Sequence, residues 1–474
     1  MGFLMIFTQI EFLLFFLLLL GCLSVIRENR YRKIILLAAS YYFYAYWNWR
    51  FLGLLFVSTF SDYQIGRYLS KLSTPRQRIL LIAASLVINL SILFSFKYCN
   101  FFVSSLQHLL IPIGIHVGTL SVILPLGISF YTFRTLSYTI DVYRRRIEPC
   151  TSLLDYALFV SFFPTMVAGP IVRASDLLPQ FMNSVSLSFR TILLGFRSFV
   201  IGCFLKVFVA DGIATFTDYV FGNVAVFNSL TIWLAAIGYS MQLYCDFAGY
   251  SMMAIGVAKA IGYEIPENFN FPYLSKNIAE FWRRWHITLS KWIRDYVYIS
   301  LGGSRNGNIR TSINILLTMS LCGLWHGAAW TFVFWGLFHG LALVLYHIWT
   351  AVKNHTETKG DVQSSLFCGF FCRTATLLTV VVGWVFFRAD GFDRALVLFG
   401  KMFYPSAGFG WYHPFVLFVL FSFAIIQFAE LSQLGAFHRL QLSAWYTPSV
   451  IFTMIWLCIV FHPREFTPFI YSKF

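Results

Sequence analysis

The feature that most constrains this chain is a succession of apolar runs of membrane-spanning length. A helix crossing a bilayer needs roughly 20 consecutive apolar residues, and the first run, residues 3–26, reaches that length. It is too long for the core of a cleavable signal peptide and ends at Arg27, so it reads as a retained first span that enters from outside. Two shorter runs follow at 34–46 and 51–61, split by Trp47-Asn48-Trp49-Arg50, whose interfacial Trp and Arg suit a hairpin tip. Further runs lie near 79–96, 100–140, 152–171, 191–215 and 229–262, then 311–326, 328–352, 366–387, 413–433 and 446–462. The run at 100–140 is too long for one span. Pro112, Gly114, Gly118, Pro125 and Gly127 divide it into two segments or a broken helix. The expectation is an all-α polytopic membrane protein, a single domain over 1–474 with about 11 or 12 membrane helices. Residues 353–363 form a short polar loop.

Composition and charge narrow the partners. Apolar residues make up 58% of the chain and charged ones 12%, against about 45–50% and 25% in soluble domains. A soluble fold could not cover that apolar surface, and disordered, collagen-like and disulfide-scaffold classes are excluded with it. The net charge of +15 would suggest nucleic-acid binding in a soluble protein. Here nearly all of it sits in four windows, at 27–33, 67–78, 144–148 and 276–310. Basic residues gathered between apolar spans mark cytoplasmic loops, so the partner is the bilayer and not a nucleic acid. The nine cysteines are scattered singly and suit packing.

The stretch from about 264 to 310 is the least membrane-like. It begins Glu264-Ile-Pro-Glu-Asn-Phe-Asn-Phe-Pro-Tyr, too rich in Pro and Asn for a spanning helix. From Asn277 to Tyr298 the periodicity predicts an amphipathic helix. Ile278, Phe281, Trp282, Trp285, Leu289, Trp292, Ile293 and Tyr296 share one face, opposite Glu280, Arg283, Arg284, Lys291 and Arg294. A basic helix with Trp on its apolar side lies along a membrane interface. His286 falls at the edge between the faces, placed to look inward from the cytoplasmic side.

Most of the ten histidines stand in loops or near span ends. His326 does not. It lies in Leu321-Cys-Gly-Leu-Trp-His-Gly-Ala-Ala-Trp330, deep in apolar sequence. Residues 311–353 as one helix would run roughly 64 Å, twice the membrane core, so the helix must break, and Gly327 is the obvious place. His326 then stays within the membrane core, where an ionisable residue is a functional-site hypothesis by default. On residues alone it can be a catalytic group, a satisfied core histidine or part of an ion or proton pathway. His339 lies 13 residues on, about 220° around a continuous helix, and would not share its face. No histidine, cysteine or carboxylate cluster has metal-ligand spacing. Gly302-Gly-Ser-Arg-Asn-Gly307 lacks the Lys-Ser/Thr end of a phosphate-cradling loop.

At these residues the chain resembles a known family. Pro266-Glu-Asn-Phe-Asn-Phe-Pro-Tyr273, Glu280-Phe-Trp-Arg-Arg-Trp-His-Ile-Thr-Leu-Ser290, Trp292-Ile-Arg-Asp-Tyr-Val-Tyr298 and Leu301-Gly-Gly303 resemble the membrane-bound O-acyltransferases, in their bacterial alginate O-acetylase branch. Leu324-Trp-His-Gly327 resembles the family's histidine motif. Leu124-Pro-Leu-Gly-Ile-Ser-Phe-Tyr-Thr-Phe133, Val167-Ala-Gly-Pro-Ile-Val-Arg173 and Pro468-Phe-Ile-Tyr471 are similar to its flanking motifs. The likeness covers nearly the whole chain, and residues 264–330 carry its specific, catalytic part. Two positions depart from the family pattern: Met252 stands where Asp is frequent, and Ser300 where Pro is common.

The resemblance implies a many-helix fold with re-entrant or interfacial helices and a tunnel through a bacterial inner membrane. The acyl donor would enter from the cytoplasm and the acceptor from the other side. It places the principal catalytic histidine at His326 and the second polar site at His286. Trp282, Trp285, Trp325 and Asp246 become candidates for the tunnel wall. The chemistry suits these residues, because a neutral imidazole can take a hydroxyl's proton as an ester bond forms, worth typically ~10²–10⁴ in rate. The expected donor is acetyl-CoA or another acyl thioester, with no permanently bound cofactor and no metal. The expected acceptor is an exported, alginate-like polysaccharide, reached directly or through an extracytoplasmic acetyltransferase or polysaccharide-assembly partner. D-alanyl transfer toward teichoic acid and peptidoglycan O-acetylation keep the fold and change the cargo. A transporter or export channel without chemistry would also show many spans and broken helices, but the Trp-His-Gly motif argues against it.

Overall fold

The computed structural model describes residues 5–114, 118–120, 122–183, 185, 187–356, 366–431 and 447–462. The Pro468–Tyr471 motif, His116, His438 and most of the polar loop at 353–363 lie outside them. The described residues form helices, with one isolated bridge between Phe227 and Phe409 and no named strand. This suits the solvent: in hydrocarbon each backbone N–H and C=O must be satisfied by the protein, and a helix does so within its own segment. Among the described residues, four helices are long and apolar enough to cross a membrane: Pro75–Gln107, Phe189–Gly222, Trp330–Lys353 and Cys368–Arg388. Shorter apolar helices run Ile10–Val25, Leu153–Thr165, Pro414–Ile426 and Thr447–Val460. Leu14, Leu17, Leu18, Phe418 and Phe421 point outward, as lipid-facing side chains must. The chain is an all-α polytopic membrane protein.

Two compact units divide it, Met1–Phe199 with Met253–Glu267, and Val200–Met252 with Asn268–Phe474. In the first, Asn29–Asn48 and Leu52–Lys71 form the expected hairpin through a turn at Trp49–Phe51, where the Asn48 side chain accepts the Arg50 N–H. The long run at 100–140 does split, into Cys99–Leu110 and Ile128–Tyr143. Gly127 starts the second helix at φ +68°, where a Cβ would lie 2.2 Å from the Met166 carbonyl. Ser85 and Asn89 both donate to the buried Asp62 carboxylate, at 2.6 and 2.7 Å, so that charge is solvated by the protein itself.

The second unit holds residues 268–330, most of the stretch whose motifs resemble the family. The helix Gly307–His326 (the histidine helix) ends at His326, and the return helix Trp330–Thr356 starts four residues on. The break is where the sequence suggested, for a different reason. Gly327 has φ −160°, open to any residue, but a Cβ there would sit 2.2 Å from the Phe332 ring. Cβ atoms on Gly323 and Gly336 would likewise lie 2.1 Å from the carbonyls of Phe332 and Met319. Bare backbone at these positions lets the two helices pack against each other directly.

The basic stretch is not one helix. It forms Ile278–Arg284 and Ile287–Ile293, then a wider turn over Arg294–Tyr298. All eight residues of the expected apolar face are buried, while Arg283, Lys291 and Arg294 are exposed. Asn277 caps the first helix, accepting the Glu280 N–H at 2.8 Å, and Glu280 returns a bond to the Lys276 N–H at 2.9 Å. The break falls at His286, whose backbone is left-handed at φ +40°. An extended segment holds it open: the Asn270 N–H donates to the Arg284 carbonyl at 2.9 Å, and the Asn268 carbonyl accepts the Ile287 N–H at 2.8 Å. Helix ends leave such groups unpaired, and this strap satisfies one on each side of the break.

Candidate active site

A left-handed backbone is unfavourable for a residue with a Cβ, and such strain persists only where the surroundings over-determine it. Among the described residues three non-glycines have positive φ, and two of them, Phe271 and His286, belong to this strap and break. The result is a fully buried imidazole. Its Nδ1 lies 3.0 Å from Asn268 Oδ1. That oxygen also accepts the Thr288 N–H at 3.3 Å and the Thr288 hydroxyl at 2.8 Å. A backbone N–H can only donate, so the carboxamide orientation is fixed. His286 Nδ1 must then carry the proton, which leaves the lone pair on Nε2. Nε2 has no hydrogen-bond partner among the described residues. His286 lies outside the spanning helices, and burial pushes its pKa down to about 3, because the charged form is poorly solvated there. The ring is neutral at physiological pH.

His326 is 3% exposed at the last position of the histidine helix. The rings of Trp325, Trp335 and Phe387 surround it, with centroids at 4.9, 5.0 and 5.5 Å. Trp325 also touches His286, at 6.0 Å. One indole therefore contacts both imidazoles that the sequence singled out. One turn before His326 on the same helix, Cys322 Sγ lies 4.0 Å from His326 Nε2.

A cavity of about 680 Å³ opens beside this pair. Trp282, Ile287 and Ile293 line it from the interfacial helices, Ile315, Thr318, Met319 and Cys322 from the histidine helix, and Leu343 and Tyr346 from the return helix. Arg283, Lys291 and Arg294 also line it and are exposed. It has apolar walls, a cationic mouth and a thiol next to the imidazole. Among the described residues no group of three or more His, Cys, Asp or Glu side chains is placed to hold a metal ion.

The other residues picked from sequence separate. Trp282 lines the cavity. Trp285 is fully buried in an aromatic cluster, 4.9 Å from Trp384 and 5.1 Å from Phe269. Asp246 sits in an ion cluster, 2.7 Å from Lys206 Nζ, which also holds Asp211 at 2.6 Å. Charges inside membrane helices survive by such pairing. His339 is nearer the site than a continuous helix predicts, because the helix breaks between the two histidines. The Trp335 ring lies 5.0 Å from both His326 and His339. Gly383 gives His339 its space: a Cβ there would sit 2.6 Å from Nε2. Sequence reasoning missed Asn268 and Cys322. Asn268 sits inside the quoted Pro266–Tyr273 motif, and Cys322 stands four residues before His326, a helical spacing visible in the sequence.

Comparison with known proteins gives this arrangement its context. The sequence pattern of the membrane-bound O-acyltransferase family matches residues 41–381. The chain is 41% identical over 403 residues to the "Probable alginate O-acetylase AlgI" of Azotobacter vinelandii, covering 84% of this chain and 78% of that protein. It is 37% identical over 421 residues to the peptidoglycan O-acetyltransferase of Helicobacter pylori, covering 83% and 77%. With the teichoic acid D-alanyltransferase of Bacillus subtilis it shares 32% over 240 residues, 47% and 58% of the two chains. The matched region contains His286 and His326, the cavity and the glycine-packed helix pair, and the chain is an acyltransferase that belongs to the membrane-bound O-acyltransferase family.

Proposed function

We propose that this enzyme moves an acetyl group from a cytoplasmic thioester, acetyl-CoA or a similar carrier, to hydroxyls of an exported alginate-like polysaccharide. It would act in a bacterial inner membrane, with the N-terminus extracytoplasmic, directly or through an extracytoplasmic partner. The observation that carries this is the cavity. Arg283, Lys291 and Arg294 at its mouth suit a phosphorylated carrier, and its apolar walls suit the acyl arm. It reaches Cys322, next to the His326 imidazole. His326 is the general base that takes the acceptor hydroxyl's proton as the ester forms. His286, neutral and with its Nε2 lone pair available, orients the reacting groups. Trp325 fixes both rings, and Trp282 walls the donor's path. Burial keeps water from competing for the thioester. The greater likeness to O-acetylating relatives, over most of the chain, favours acetyl over D-alanyl as cargo.

The test replaces His326 with Ala in the full chain and measures O-acetyl ester on the exported polymer. Membrane insertion is confirmed by quantifying the protein in the membrane fraction. Acetylation should fall by at least ~10² while polymer export continues. Unchanged acetylation in the variant overturns the assignment of His326. Acetyl ester appearing on peptidoglycan, and not on a secreted polymer, moves the acceptor to the cell wall.

A further inference from the structure

Resting on this acyl-transfer function, we propose that Cys322 is a further catalytic residue, carrying the acyl group as a thioester between donor and acceptor. Three observations converge on it. Its sulfur lies 4.0 Å from His326 Nε2, one helical turn away, the nucleophile-and-base pairing that covalent catalysis needs. It is also the last residue of the histidine helix to line the 680 Å³ cavity. A donor filling that cavity therefore meets the thiol before it meets the imidazole. Finally, two buried donors line the same cavity without a hydrogen-bond partner among the described residues, the Thr318 hydroxyl, 6% exposed, and the Trp282 indole N–H, 8% exposed. Buried polar groups are almost always paired, so these two are suited to the carbonyl and amide oxygens of a thioester arm.

The chemistry balances without redox. In the first half, the Cys322 S–H proton passes to His326 Nε2 as the sulfur attacks the donor's carbonyl carbon. The new C–S bond forms, the donor's C–S bond breaks, and the leaving sulfur takes the proton from His326 to depart as a free thiol. In the second half, the acceptor hydroxyl gives its proton to the same Nε2 and its oxygen attacks the acyl carbon. The bond to Cys322 breaks and the cysteine sulfur recovers the proton. Donor and acceptor never need to occupy the site together. With Cys322 and His326 both under a twentieth exposed, water has little access to the acyl-cysteine.

The test uses membranes containing the full chain, incubated with acetyl-labelled acetyl-CoA, quenched in acid and digested. One label should map to the peptide holding Cys322 and be released by neutral hydroxylamine. Cys322→Ala should carry no label and show acetylation of the exported polymer reduced at least 100-fold. Cys322→Ser should keep a label that resists hydroxylamine, as an oxygen ester does, and this also shows that the site still folds. Absence of label on Cys322 in the wild type overturns the proposal, as does Cys322→Ala acetylating polymer within twofold of wild type. A labelled Cys322 with no acetyl ester on any polysaccharide leaves the intermediate standing and overturns the polysaccharide acceptor instead.

Discussion

At the scale of single residues, the neutral state of His286 rests on Asn268 and on burial. The folded protein holds this imidazole well below its ordinary value, at about 3, through desolvation, whereas an exposed histidine titrates near 6.5. Between those values the unfolded chain binds a proton that the folded one refuses, so stability rises with pH. The contribution is complete above about pH 6.5 and is lost as pH falls toward 3, at a slope approaching ~1.4 kcal/mol per pH unit. Melting of the detergent-solubilised protein should therefore fall more steeply with acidification in the wild type than in His286→Asn. Identical pH slopes would show that the ring takes up its proton as readily folded as unfolded. Legibility at this scale was uneven. His326 stood out because an ionisable group in a long apolar run is costly wherever the run folds. Asn268 did not, because an Asn among prolines reads as a turn, and its role depends on meeting residues 18 and 20 positions away.

At the scale of elements, the position of His326 depends on how closely the histidine and return helices approach. Gly323→Ala and Gly336→Ala would each place a Cβ 2.1 Å from a carbonyl oxygen of the facing helix. A backbone cannot yield as the tip of a side chain does, so the helices must separate and carry His326 with them. A displacement of 1 Å at a reacting group can lower a rate by ~10². Both variants should lose at least tenfold in polymer acetylation at equal membrane abundance. Gly340→Ala makes the control, since its Cβ would meet the Met319 Cβ at 3.2 Å and the Leu316 side chain at 3.3 Å. It should stay within about threefold. Equal activity in all three would mean that close helix approach does not position His326 for the reaction. The apolar runs themselves were readable because their length is dictated by the bilayer. The basic stretch was not fully so. Its apolar face was right to the residue, but the kink at His286 depends on hydrogen bonds to Asn268 and Asn270 that no helical periodicity reveals.

For the whole molecule, the surplus charge predicts a direction through the membrane. The four basic windows fall between apolar runs, and all four lie on one side if the first span enters from outside, the run at 100–140 crosses once and the run at 152–171 turns back without crossing. That direction matters for function, because the fourth window supplies Arg283, Lys291 and Arg294 to the cavity mouth. On the proposed function the donor is a cytoplasmic thioester, so donor entry and charge asymmetry must agree. Ser73, between Lys71 and Arg76, and Ala225, after the span Phe189–Gly222, are both exposed and belong to opposite sides on this arrangement. Cysteines placed at each, in a chain whose exposed Cys22 and Cys368 are changed to Ser, can be probed with an impermeant maleimide. Cells with a permeabilised outer membrane should label Ala225→Cys at once, and Ser73→Cys only after the inner membrane is opened. The reverse pattern would put the cationic mouth on the face that carries no thioester donor. The cavity would then have to receive the acceptor, and an anionic polymer would become the occupant its three cations fit.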